Sequence, residues 1–306
     1  MNTVRQYIYK GGLDKLKAKG YCFTRNNGKG LYSDEKGNTK FIMLGLLLFP
    51  FFSYAQYGMS RDSTEYAISH SPAFSIFKDN YFISGIPLNH EPSKDNSDAK
   101  FQFSFKQRIQ NRPLVWGAYF YLTYTQKSFW DIYKKSSPFA ETNYNPALQL
   151  AKPIYRAGRF VGVFGLSIEH ESNGRDSIYS RSWNFIGLTY SHFFSETVNA
   201  SLKINIPIER SDNPDLNKYI GYTEAQLAWN IKKDKLILDV MGRKGASWDT
   251  KGSLMTTLSF RPSEKRNLYW TLQWWQGYGE SLVDYNRSVS MIRIGFMVKP
   301  TFFRFY

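Results

Sequence analysis

FGLSIEHESNGRDSIYSRSWNFIGLTY, residues 164–190, consists of two alternating stripes flanking a polar turn. Counting back from His170 by twos gives Ile168, Leu166 and Phe164; counting forward from Asn184 by twos gives Ile186, Leu188 and Tyr190. Strand residues two apart share a face. His170 and Asn184 therefore share a face with an apolar stripe, while Glu169, Ser167 and Gly165 point the other way. A hairpin centred on residue 177 makes 170 and 184 symmetric. That predicts cross-strand neighbours with Cβ atoms about 4.5–5.5 Å apart. A polar, reactive pair on the greasy face of a strand fits a substrate that arrives through lipid.

The chemistry available there is nucleophilic. A serine hydroxyl attacks poorly until a neighbouring base accepts its proton, and the base must be held in the right tautomer by a third group. Ser172 lies two residues on from His170, on the same face; Asn184 could hold the imidazole. The bland alternative is three polar residues of an exposed loop, which an isolated H-x-S pair would usually be. His70 and His90 sit in turn-like stretches without a partner, and His192 lies about a strand length away. No spacing resembles a zinc site, and no G-x-S-x-G elbow is present.

Composition agrees with a β-rich wall. The 306 residues include 24 Phe, 22 Tyr and 8 Trp, yet the mean hydropathy is −0.45. Transmembrane strands alternate apolar and polar residues and so look hydrophilic on average; an aromatic-rich soluble β-protein has the same composition. The body holds no apolar run of about 20 residues, which excludes a helical membrane protein. From about residue 79 the chain reads as strands separated by turn signals. In FQFSFKQRI (101–109) Phe101, Phe103 and Phe105 oppose Gln102, Ser104 and Lys106, and Ala118, Phe120, Leu122 and Tyr124 form a second stripe. Further strands are expected over 81–87, 147–155, 159–171, 183–194, 197–208, 219–231, 234–243, 252–260, 267–277 and 288–299, about twelve in all. Trp116, Trp130, Trp229, Trp270, Trp274 and Trp275 lie where interfacial girdles would fall.

Residues 40–55 break this pattern. Lys40, the apolar run Phe41 to Phe52, and the small residues Ser53 and Ala55 read as a signal peptide cleaved after Ala55. Residues 1–39 read as a mis-called upstream start or an unusual extension, leaving residues 56–306 as a single domain. The only cysteine, Cys22, falls in the removed part. So do nine Lys/Arg and three Asp/Glu, which lowers the net charge from +15 to +9. That surplus suits anionic lipid headgroups better than nucleic acid, which is not expected as a partner. The chain ends on an aromatic, Tyr306, as outer-membrane barrels commonly do.

The segment HESNGRDSIYSRSWN (170–184) resembles the signature of the bacterial outer-membrane phospholipase A family (phospholipase A1). TQKSFW (125–130), SSPFAETNYNP (136–146), SDNPDLNKYIGY (211–222) and GYGESLVDYN (277–286) resemble further family segments in the same order. The similarity covers roughly residues 79–299. It implies an all-β, twelve-stranded antiparallel transmembrane β-barrel in the bacterial outer membrane, with its active site on the outer-leaflet face. It also implies a calcium-dependent hydrolase that cleaves sn-1 and sn-2 ester bonds of phospholipids and lysophospholipids, active as a homodimer. Carried over by resemblance, Ser172 is the nucleophile, His170 the base and Asn184 the orienter, with the Gly174 N–H serving the oxyanion. Calcium would be held by the Ser180 hydroxyl, the Arg175 carbonyl and Ser136 from a partner subunit, and Gln126 would bond across the dimer. A second calcium site is in doubt: one family aspartate matches Asp212, but the other position is Ser177, with Asp176 adjacent. Arg175 and Arg181 are candidates for lipid phosphate, or simply solvated. The rival readings are a catalytically inactive pore or scaffold barrel, and a soluble secreted esterase of β-sandwich type.

Overall fold

Alternation of this kind leaves one face of every strand polar and the other apolar, and the sheet must close to pair its edges. The computed structural model describes residues 58–246 and 249–300. The expected extension (1–39) with Cys22, the signal peptide (40–55), and Tyr306 lie outside the described residues. The strands are β1 (Phe74–Ile76), β2 (Asn80–Pro87), β3 (Asp98–Arg108), β4 (Tyr119–Trp130), β5 (Phe139–Arg156), β6 (Arg159–Ser172) and β7 (Ser182–Phe193). They continue with β8 (Val198–Glu209), β9 (Thr223–Lys232), β10 (Leu236–Lys244), β11 (Gly252–Phe260), β12 (Tyr269–Gly277) and β13 (Val289–Val298). From β2 onward each pairs antiparallel with the next, and β13 closes on β2 through pairs such as Phe296↔Phe82. β1 and β2 lie end to end along β3, at Phe74↔Gln107 and Tyr81↔Gln102, and act as one interrupted stave. The result is a closed twelve-stranded antiparallel barrel, as the sequence implied.

The two faces are inverted relative to a soluble protein. Large apolar side chains line the outside, among them Phe103, Leu122, Ile168 (56% exposed), Leu202, Leu272 and Ile294. The lumen is polar: Lys100 and Arg293 are 1% and 2% exposed. Lys100 Nζ donates to Gln273 Oε1 (2.8 Å) and Glu280 Oε1 (3.0 Å) across the barrel. Arg293 joins Glu280 at 2.6 Å and holds Asp98 through two nitrogens at 2.7 and 2.8 Å. Buried charges persist only where partners replace the lost water. An apolar exterior around a polar, ion-paired lumen is the arrangement a lipid-spanning wall requires.

Three details depart from the sequence reading. β5 runs from Phe139, eight residues before the expected start at 147, passing straight through Pro146. A helical turn, Leu216–Tyr219, delays β9 to Thr223. Trp275 lies in the lumen, 3% exposed, rather than in a girdle; strand alternation sends adjacent Trp274 and Trp275 to opposite faces. Trp130 does sit on the outer wall, stacked on Phe139 at 5.3 Å between ring centroids.

A helix the sequence reading missed, α1 (Arg61–His70), docks where β5 turns into β6. Ser60 caps it by accepting from Ser63 N, and Arg61 N donates to Gly158 O at 3.1 Å. Its buried Ile68 packs with Phe77, Tyr119, Tyr121 and Phe160. The Arg108 guanidinium takes its terminal carbonyls, Ile68 O and Ser69 O, the groups every helix C-terminus leaves unsatisfied.

Candidate active site

The hairpin formed by β6 and β7 has the register predicted from parity. His170 pairs with Asn184, Ser172 with Ser182 and Ile168 with Ile186. His170 is exposed on the apolar outer face, and its Nδ1 stands 2.8 Å from Asn184 Oδ1. Ser172 is half-buried on the same face, and no hydrogen bond joins its hydroxyl to the imidazole among the described residues. Such contacts often tighten only when substrate binds.

Pro146 shapes the space beside His170. Between the pairs Tyr144↔Ser172 and Ala147↔Glu169, β5 and β6 are not laddered. Proline has no N–H to give. The His170 carbonyl instead accepts from Asn145 Nδ2 at 3.1 Å, so the backbone stays satisfied while the wall opens next to the histidine.

The loop from Asn173 to Arg181 is organised by one buried side chain. Asn173 is 4% exposed. Its Oδ1 accepts from Arg175 N (3.2 Å) and Arg181 N (3.0 Å), and its Nδ2 donates to Tyr179 O (2.9 Å). Gly174 follows with φ +64, and a Cβ there would lie 3.0 Å from Tyr144 Cε2. The loop closes through a 3-10 turn, Ser177–Tyr179, whose first residue also has positive φ (54°).

Ser180 Oγ and Ser182 Oγ both donate to Asp212 Oδ2, at 2.7 and 3.0 Å. Those two hydroxyls hold the Asp212 carboxyl below the ordinary carboxylate range. Asp176 is exposed and has no hydrogen bond to Asp212 among the described residues. Ser136 lies in the β4–β5 turn with φ 65, and nothing joins it to the loop within the one chain described. Gln126 is on the outer face of β4, bonded to its own strand: it accepts from Tyr124 OH (3.1 Å) and donates to Ser128 Oγ (3.3 Å). Both arginines turn back on main-chain carbonyls, Arg175 on Ala140 O and Arg181 on Ile178 O and Ser180 O.

Sequence reasoning missed Asn173, Asn145, Ser182 and Glu209, whose Oε2 accepts from Asn184 Nδ2 at 3.3 Å. For Asn173 there was a signal, because Asn-Gly is a turn dipeptide. Asn145, Ser182 and Glu209 are drawn in only by register.

A family model described as Phospholipase A1 matches residues 67–298. The chain is 32% identical to the phospholipase A1 of Salmonella typhimurium over 222 residues, covering 70% of this chain and 74% of the relative. It is likewise 32% identical to that of Escherichia coli over 213 residues, covering 67% and 71%. Among solved structures it is similar to outer membrane phospholipase A from Escherichia coli (27% identity, TM-score 0.65, covering 74% of this chain and 94% of that one). It is also similar to the Salmonella typhi outer membrane phospholipase, solved as a dimer with bound calcium (27% identity, TM-score 0.67, covering 80% and 100%). A further Escherichia coli structure, at 26% identity and TM-score 0.67, covers 79% of this chain and 99% of that one; it is an active-site mutant in which an asparagine is replaced by alanine. With a transmembrane barrel, and with sequence and structure matched over most of its length, this chain belongs to the phospholipase A1 family.

Proposed function

We propose that this barrel is a calcium-dependent serine hydrolase of the outer membrane. It cleaves sn-1, and also sn-2, acyl ester bonds of phospholipids and lysophospholipids at the outer-leaflet rim. The observation that carries the reading is an exposed His170–Asn184 pair, bonded at 2.8 Å on a lipid-facing stripe, with Ser172 two residues along. Ser172 Oγ attacks the ester carbonyl as its proton passes to His170 Nε2. The bond to the lysolipid oxygen breaks, and His170 returns the proton to that leaving group. Water then attacks the acyl-Ser172 ester through the same base, releasing fatty acid. Asn184 holds the imidazole, and the Gly174 N–H would serve the oxyanion.

The oxygens around Ser180 suit a hard cation. Ser180 spends its O–H on Asp212, so its lone pairs remain free, and the carboxylate adds negative charge nearby. Ser180 Oγ and the Arg175 carbonyl would hold Ca2+, with Ser136 supplied by a second copy of the chain. Bound there, the ion would supply positive charge for the developing oxyanion. Completion by a second copy makes the homodimer the active form, with Gln126 bonding across the interface. The second calcium site has weaker support, since Asp212 already serves Ser180 and Ser182.

The test is phospholipase activity on mixed micelles, wild type against Ser172→Ala, each with calcium and with excess chelator. Activity is expected only with Ser172 and calcium together. Activity surviving Ser172→Ala would sink the mechanism. No activity from a folded, cross-linkable dimer would favour a non-enzymatic barrel.

A further inference from the structure

An amide orienter has two weaknesses that a carboxylate lacks. It can flip, presenting NH2 to the imidazole in place of oxygen, and it brings no charge to the imidazolium. Glu209 answers both. It is the last residue of β8, beside Asn184 across the β7–β8 ladder. Its Oε2 accepts from Asn184 Nδ2 at 3.3 Å, and its Oε1 is anchored by the Ser211 N–H at 2.5 Å.

Resting on the Ser172–His170–Asn184 reading above, we propose that Glu209 is a positioning residue that extends the relay to a fourth member. An ionised carboxylate can only accept hydrogen bonds. It therefore draws the NH2 of Asn184 toward itself and turns Oδ1 toward His170. Oδ1 in turn can only accept, so Nδ1 carries the imidazole proton and Nε2 is left as the free base. The tautomer needed for proton transfer from Ser172 thus follows from a side chain that never touches substrate. The negative charge also polarises the amide in the direction that favours the imidazolium. The Ser211 N–H keeps the carboxylate pointing at the amide instead of drifting to solvent.

The test uses the full-length barrel in mixed micelles with calcium, folding being checked by heat-modifiable mobility. Glu209→Gln is isosteric, but it can donate as well as accept and is neutral; Glu209→Ala removes the group. Each is expected to lower kcat about tenfold, the scale of one hydrogen bond to a charged group, with KM nearly unchanged. In an Asn184→Ala background both should cost less than about twofold, because the effect travels through Asn184. A fluorophosphonate probe should label Ser172 more slowly in the same proportion. Wild-type kcat in folded Glu209→Gln would overturn the proposal, and so would an equal loss with and without Asn184. Ser172→Ala in the same series separates the two claims. If it is dead while the Glu209 variants match wild type, only the fourth member is lost; if it is active, the triad reading itself fails.

Discussion

His170 and Asn184 are fourteen positions apart in sequence but directly opposed in the β6–β7 ladder, with Nδ1 and Oδ1 2.8 Å apart. Rigid strand pairing, rather than a mobile loop, therefore fixes the amide against the imidazole. Asn184→Ala should leave the barrel intact, since the side chain is on the outer rim. It should lower kcat on the order of 10- to 100-fold, by analogy with metal-bound histidines that lose the group orienting them. Micelle assays alongside heat-modifiable mobility check this; an unchanged kcat would remove Asn184 from the relay.

The loop that follows depends on Asn173. Replacing it with alanine strips the Arg175 and Arg181 N–H groups of their shared acceptor and the Tyr179 carbonyl of its donor. Any of these groups that stays out of water once orphaned costs about 1–3 kcal/mol. Because the Arg175 carbonyl and Ser180 both belong to this loop, Asn173→Ala should weaken calcium binding while the barrel stays folded. Isothermal titration with calcium reads this directly. Unchanged affinity would mean the loop keeps its shape without Asn173.

Strand periodicity made the barrel legible because both faces are demanding. A one-residue slip at Ile168 would put Glu169 into lipid, so register had to match pattern. The same logic places His170 against Asn184 from sequence parity. It failed where residues obey a local exception. Pro146 is a strand residue here because the ladder opens beside it, and Trp275 is in the lumen because its neighbour Trp274 took the outer face. α1 buries only Thr64 and Ile68, a single apolar side chain between them, and its docking depends on Arg108, far along the chain. Glu209 was invisible as a site partner because β8 brings it in across a ladder, with no motif of its own; Asp212 was legible only through its family segment, as a second-site ligand and not as the acceptor for Ser180 and Ser182.

The lumen has its own prediction. Glu280 is the shared partner of Lys100 and Arg293. Glu280→Gln keeps the shape but leaves two buried cations with less compensation. Breaking a buried pair in this way costs roughly 3–5 kcal/mol. Urea unfolding from lipid vesicles should show a loss of that order, with probe labelling of Ser172 unchanged in the folded fraction. A loss below about 1 kcal/mol, the worth of an exposed pair, would mean the lumen is wet enough to screen these charges.

Asp212 is the last and sharpest test of the cation reading. Its carboxylate accepts from Ser180 and Ser182, which holds both hydroxyls with their lone pairs turned away. Asp212→Asn can still accept one such bond but removes the negative charge. If Ser180 is a calcium ligand, the variant should bind calcium about tenfold more weakly, the loss expected for one charge-assisted hydrogen bond. Raising calcium should then restore kcat to near the wild-type value. If Asp212 serves only to shape the loop, calcium affinity would stay at the wild-type value, and any loss of kcat would persist at saturating calcium. Titrations of activity and of heat against calcium, run on the same preparation, distinguish the two, because only a ligand-polarising role moves the midpoint and spares the plateau.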